Sequence, residues 1–240
     1  MLLICLLVLL GLPAGASAAR VKLIACVPAL AAQERSATFE ARVRRARQSE
    51  RMQVSFALQV RDATLPGWHR VVAAGPDEWM TSDKDVRRYL YARTVENLAA
   101  PAAYRTVVRF RWLDSDGAVL ARERATSRVC RQPDLRPNLT ATRIDVVGPL
   151  LADEPALFNV TLHNSGRSAS GPFSVALRAG ESELEPVVLA GLAAGERRVL
   201  AFSGPACAPG RALTATVDPL LAVDERDEDD NVLIAHCRGR

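Results

Sequence analysis

Neither glycine nor proline is abundant in this chain, fourteen of each in 240 residues. A collagen-like repeat is therefore excluded, and with 49% hydrophobic and 24% charged residues so is an intrinsically disordered chain. Histidine occurs only at His69, His163 and His236, with neither metal-ligand nor nucleophile spacing. No GxSxG elbow, HExxH pair, Walker loop or GxGxxG turn is present, so no recognised catalytic or cofactor-binding motif exists. No two cysteines are separated by two to four residues, which removes zinc of the finger or ribbon kind. Past the first dozen residues no apolar run is long enough to span a bilayer.

What is present begins with an address. Met1–Leu12 is an unbroken apolar run, and small residues at Ala16 and Ala18 complete an A-x-A cleavage site, so residues 1–18 read as a secretory signal peptide. Leu23-Ile24-Ala25-Cys26 has the form of a lipobox, but Arg20 and Lys22 stand between it and the apolar run, where charge is costly in hydrocarbon. Cleavage removes Cys5 and leaves Cys26, Cys130, Cys207 and Cys237, four cysteines in an exported chain.

Charge divides the remainder. Residues 19–132 hold 21 Arg and Lys against 12 Asp and Glu, a net of +9, whereas residues 133–240 hold 10 against 15, a net of −5. The stretch Gln132-Pro133-Asp134-Leu135-Arg136-Pro137-Asn138 lies at the junction, stiffened by two prolines. The predicted organisation is a domain at 19–132 and a second at 133–240. That boundary selects one of three disulfide connectivities, Cys26–Cys130 and Cys207–Cys237.

Both halves alternate with a period of two. Met52, Val54, Phe56, Leu58 and Val60 recur at every second position, as do Tyr104, Thr106, Val108, Phe110 and Trp112. Shorter candidates at 21–27, 38–43, 68–73 and 86–95, and a strand running to Cys130, bring the first half to seven strands, the count of a β-sandwich. Leu98 to Tyr104 resembles the tyrosine corner of fibronectin type III domains. The second half repeats the pattern at Phe158, Val160 and Leu162, at Phe173, Val175 and Leu177, and at Leu213, Ala215 and Val217. The expected fold is all-β: two tandem immunoglobulin-like β-sandwich domains.

In the second half the motifs form an ordered series: PDL at 133–135, HNSG at 163–166, VALRAG at 175–180, LAAG at 192–195, VD at 217–218 and DERDEDDN at 224–231. Over roughly 133–237 this series resembles the CARDB family, the cell-adhesion-related domain found in bacteria. The resemblance implies an immunoglobulin-like sandwich on an exported bacterial protein, with adhesion or ligand binding as its role. Only Lys22 and Lys84 among 31 basic residues are lysine, a bias compatible with a GC-rich bacterial genome. The family often ends E-x-N-E-x-N-N; here Asp227 and Asp230 stand where Asn is common.

Three groups of residues merit a chemical reading. The acidic run offers Asp224, Asp227, Glu228 and Asp230 as oxygen ligands for calcium, although an EF-hand is excluded because Val232 occupies its glycine position. The competing and favoured reading is a solvated hairpin tip. Arg105, Arg109 and Arg111 alternate with the apolar positions of their strand and should point outward as a stripe able to meet anionic polymer, with no aromatic residue interleaved. Trp79, beside Met80 in a loop, is a candidate anchor for a ligand or partner.

The expected function is an exported, non-catalytic binding or adhesion protein at the cell envelope, without a cofactor. Its expected partners are an envelope glycan, an anionic wall polymer or another surface protein, and not nucleic acid. A spacer with no ligand of its own is the alternative, and a hydrolase with an unrecognised site the third.

Overall fold

Every second residue of the long runs is apolar, so each run buries one face, and two such faces must close on each other. The computed structural model of the protein describes residues 18–64, 66–72, 78–147 and 155–237; all but Ala18 of the expected signal peptide lies outside the described residues. The chain divides into two compact units, one made of residues up to Pro28 with Gln33–Gln132, the other of Ala29–Ala32 with the residues from Pro133 onward. Both are antiparallel β-structures, and the fold is all-β.

In the first unit, β1 (Ala19–Val27), β2 (Ser36–Arg44) and β6 (Arg88–Glu96) form one sheet in the order β1-β2-β6. The second sheet runs β4 (His69–Arg70), β3 (Arg51–Arg61), β7 (Ala102–Leu113), β8 (Val119–Thr126). The short strands β5 (Met80–Thr81) and β9 (Cys130–Gln132) pair with β3 and β7. Ala37, Phe39, Ala41 and Val43 of the first sheet and Met52, Val54, Phe56, Val108, Phe110 and Trp112 of the second share one buried core. Trp112 Nε1 donates to the Arg44 carbonyl at 2.7 Å, joining the two sheets. Tyr104 Oη donates to the Ala99 carbonyl at 3.2 Å, the bond that a tyrosine corner makes.

Two expected strands change form. The segment at 68–73 contracts to His69–Arg70, since only those two residues pair with β3. The strand expected to reach Cys130 breaks at Ser127, whose hydroxyl takes the Thr106 N–H at 3.0 Å and donates to the Arg128 carbonyl. The chain then resumes as β9 against Ala102–Tyr104.

In the second unit, β10 (Leu139–Val147), β11 (Ala156–Asn164) and β15 (Arg197–Gly204) make one sheet. The other runs β13 (Ser182–Glu183), β12 (Phe173–Ala179), β16 (Ala212–Val217), β17 (Val232–His236), with β14 (Val187–Leu189) also on β12. Phe158, Val160, Leu162, Val175, Leu177, Leu213 and Ala215 fill a single core between them. Cys26 is bonded to Cys130 with Cα atoms 5.4 Å apart, and Cys207 to Cys237 at 5.7 Å, so each unit holds one disulfide. The Cys26 sulfur is thereby committed to a bridge, which leaves no thiol for a lipobox reaction.

Candidate functional site

The outer face of the β3–β7–β8 sheet carries the arginines. Register places Gln59 opposite Arg105, Ser55 opposite Arg109 and Gln53 opposite Arg111 on β3. On the far side, Arg124 stands opposite Arg109 and Arg122 opposite Arg111. The stripe read from the sequence is therefore only the middle of a broader basic surface, and Arg122 and Arg124 were missed. Their signal was Arg-Glu-Arg at 122–124, an alternation that mirrors Arg109-Phe110-Arg111 on the neighbouring strand.

The absence of interleaved aromatics is corrected outright. Strands β4 and β5 both pair along β3, and each brings the tryptophan just ahead of it over this face. The Arg105 guanidinium lies 4.2 Å from the Trp68 ring centre and that of Arg61 lies 5.1 Å from it. Arg111 lies 3.7 Å and Arg109 5.5 Å from Trp79. Sequence order hid this because Trp68 and Trp79 are remote from the arginines along the chain. Arg105 is further held by Gln59 Oε1 at 2.8 Å, and Arg109 donates to Ser55 Oγ at 3.3 Å. Trp79, half-buried in its loop, walls a cleft of about 290 Å³ with Arg109, Arg111, Arg122, Arg124 and one carboxylate, Glu123. A second basic cleft on the β1–β2–β6 sheet, with Arg20, Arg42, Arg44 and Arg88, is smaller at about 160 Å³, and its Arg42 is already paired with Glu40.

The acidic run of the second unit is exposed at Asp224 and from Arg226 to Asp230, but one of its carboxylates turns inward. Glu225 is 1% exposed. Its Oε2 accepts the Leu139 N–H, its Oε1 accepts Asn231 Nδ2 at 3.2 Å, and its own N–H reaches Glu228 Oε1 at 2.9 Å. Burial pushes the Glu225 carboxyl up to about 7; the Leu139 and Asn231 bonds oppose the shift, and the charges of Glu228 and Asp218 add to it. The calcium candidates are likewise occupied by protein. Asp224 pairs with Arg136 at 2.8 Å, Asp230 accepts from Asn138 Nδ2 at 2.9 Å, and Asp227 accepts the Asp229 N–H at 3.1 Å. Among the described residues, no three His, Cys, Asp or Glu side chains group in a way that would hold a metal.

Around Glu225 the motif series closes into one network. Asn164, fully buried, uses its whole amide: Oδ1 accepts the N–H groups of Asn138 and Gly166, and Nδ2 donates to the carbonyls of Ser168 and Leu192. A Cβ at Gly166 would collide with the Pro137 backbone. Gly195 N–H reaches the Asn164 carbonyl at 2.8 Å, and the Asp218 carboxylate holds the Ala222 and Val223 N–H groups. Arg136 bridges Asp134 and Asp224, and its hydrogen bonds hold the Asp134 carboxyl below the usual carboxylate range. PDLRPN, HNSG, LAAG, VD and the acidic run are therefore the parts of a polar lock that fastens the strap 218–231 to the start of β10.

The fold and this network define an immunoglobulin-like sandwich module. Residues 132–235 match the CARDB family, and the chain carries a CARDB domain there. No curated protein matches the chain. Among solved structures it is similar to a domain of a Methanosarcina acetivorans protein named for the cell surface, at 24% identity over 42% of this chain and 89% of that one, TM-score 0.37. It is also similar to a CARDB domain from Pyrococcus furiosus in complex with di-metal ions, at 24% identity over 41% and 84%, TM-score 0.35. Red sea bream transglutaminase covers 94% of this chain with 32% of its own length, at 10% identity and TM-score 0.32. Among the described residues no helix is long and apolar enough to cross a membrane.

Proposed function

We propose that this chain is an exported, non-catalytic binding protein of the cell envelope, whose first unit carries the recognition surface and whose CARDB domain is a rigid adhesion-type module. The single observation that carries the reading is the arginine face: Arg111, Arg122 and Arg124 have no carboxylate partner among the described residues, and Trp79 closes one side of their cleft. Unpaired cations next to an aromatic wall suit an anionic envelope polymer, which provides opposite charge and excludes water from part of the contact. Two intramolecular disulfides are compatible with an oxidising location outside the cytoplasm. The CARDB match supports a surface role in the same direction.

The test is retention of the mature protein on fractionated cell envelope while salt is raised. Retention that falls steeply with ionic strength is expected, because exposed charges are screened within about 8 Å at physiological salt. A protein that passes through every fraction without retention has the character of a spacer, and one that turns over ester or glycan substrates is a hydrolase; either result removes this proposal.

A further inference from the structure

Strand β6 is nine residues long and ends its sheet, with β2 on one side and no described strand on the other. Its register with β2 runs from Glu96 opposite Ser36 to Arg88 opposite Arg44 without a shift. The Arg45 N–H donates to the Arg87 carbonyl, which fixes the alternation. Odd-numbered residues of β6 therefore bond to β2, and the N–H and C=O groups of Arg88, Leu90, Ala92, Thr94 and Glu96 point away from it. All five residues are exposed, Leu90 by 51%. Proteins blunt a free edge of this kind with proline, lysine or a bulge, and β6 has none of the three. Its charges are also unspent. The side chains of Arg88, Arg93 and Glu96 have no partner among the described residues, and Arg88 stands opposite a like charge, Arg44.

We propose that β6 pairs antiparallel with β6 of a second copy of this chain, about a two-fold axis at Ala92, so that two β1-β2-β6 sheets become one continuous sheet. Arg88 and Glu96 lie at equal distances on either side of Ala92. The two-fold therefore sets Arg88 opposite the second copy's Glu96 at both ends, Leu90 opposite Thr94, and Ala92 opposite itself. Each of these pairs exchanges two main-chain hydrogen bonds, and its Cβ atoms lie about 4.5–5.5 Å apart, close enough for an ion pair. On the other face of the strand Tyr91 comes opposite Arg93, where a guanidinium and an aromatic ring attract, and Tyr89 comes opposite Val95. A slip of two residues sets Arg88 opposite Thr94 and carries Glu96 past the end of the partner strand, so charge selects the register. A lone strand pair is small beside the roughly 1,200–2,000 Å² of a stable complex, and the dimer accordingly forms reversibly, its share rising with concentration. The arginine face lies on the other sheet, β3-β7-β8, so this pairing leaves it open and does not rest on what it binds.

The experiment is sedimentation velocity of the full mature chain over a concentration series. A monomer giving way to a dimer, with nothing larger, is expected. Arg88→Glu alone and Glu96→Arg alone each bring like charges together at both ends of the pair, and each is expected to weaken dimerisation by about tenfold or more. Mixing the two single variants is expected to restore dimers, because the reversed side chain of each then meets the opposite charge of the other. The double variant Arg88→Glu with Glu96→Arg keeps the net charge and is expected to dimerise as the wild-type chain does. A second measurement reads the axis itself. Ala92→Cys should cross-link to its own copy on mild oxidation, since Cα atoms in such a pair lie about 5.5 Å apart, whereas Thr94→Cys, four residues out of step with its copy, should not. A monomer at every concentration overturns the proposal, and so does a dimer indifferent to the single reversals or an assembly that grows beyond two. Envelope retention by a chain that stays monomeric removes this dimer and leaves the proposed function standing.

Discussion

Glu225 is the residue whose behaviour departs furthest from its surroundings. Five acidic neighbours between Asp224 and Asp230 face solvent or surface partners, whereas this carboxyl sits inside the polar lock with its charge opposed by burial. In the unfolded chain a glutamate titrates near 4.3. The folded value is higher, so between about 4.3 and about 7 the folded state binds the extra proton and stability falls as pH rises. Lowering pH from about 8 to about 5.5 should therefore raise the thermal stability of the wild-type chain relative to Glu225→Gln, which lacks the titration. The glutamine keeps an acceptor for Leu139 N–H, and its amide can donate to Asn231 Oδ1, which is buried without a partner. Equal pH profiles for the two proteins, read by melting temperature, would contradict this assignment. Glu225→Ala, by contrast, strands the Leu139 N–H and should cost about 1–3 kcal/mol in urea denaturation at neutral pH. Gly166→Ala belongs with it: the added methyl meets the Pro137 backbone and should cost about 1–3 kcal/mol by overpacking, although nothing polar is lost.

At the scale of elements, the outer face of β7 and β8 sets stability against binding. Arg122→Ala and Arg124→Ala each remove a charge facing a like charge, and should leave unfolding free energy unchanged or raise it by a few tenths of a kcal/mol. Trp79→Ala strips the cover from Arg111 and Arg109 and should cost about 1–2 kcal/mol by the same measurement. The strap 218–231 makes a separate prediction. Its carboxylates are spent on Arg136, Asn138, Leu139 and the strap's own backbone, so a chelator should leave the melting temperature unmoved. A drop on chelation would restore calcium as a ligand of Asp224, Asp227, Glu228 or Asp230.

The same elements show what the sequence could and could not reveal. The period of two marked the buried positions of β3, β7, β11, β12 and β16, because alternation is a local consequence of strand geometry. Glu225 left no such trace, because residues 221–231 form no strand and its burial comes from Leu139 and Asn231 meeting it through space. The stacking of Trp68 and Trp79 on β7 was not legible, because it depends on β4 and β5 pairing with β3, and two-residue strands leave no periodic trace. The buried amide of Asn164 was hidden for a related reason: Asn-Ser-Gly reads as a surface turn, and only the return of Asn138 and Leu192 through space converts it into a hub.

Over the whole molecule, covalent bonds reinforce two cores that share no buried residue. The Cys26–Cys130 bridge spans 104 residues and Cys207–Cys237 spans 30. In the chain-entropy model those loops stabilise by about 4.7 and about 3.6 kcal/mol through the unfolded state, and neither loop crosses Gln132/Pro133. Loss of one bridge should therefore act on the unit that contains it. Cys26→Ala with Cys130→Ala should lower one thermal transition and leave a second in place, and Cys207→Ala with Cys237→Ala should do the converse by a smaller amount. Calorimetry of the two variants reads this directly, and the four-alanine protein should show both losses added together, as expected for independent sites. A single transition moved equally by either pair would mean that the two cores melt as one cooperative body. The envelope-binding assay then has its own control in these variants. Retention should survive loss of the Cys207–Cys237 bridge at temperatures where the second unit is unfolded, because every residue of the arginine cleft belongs to the first.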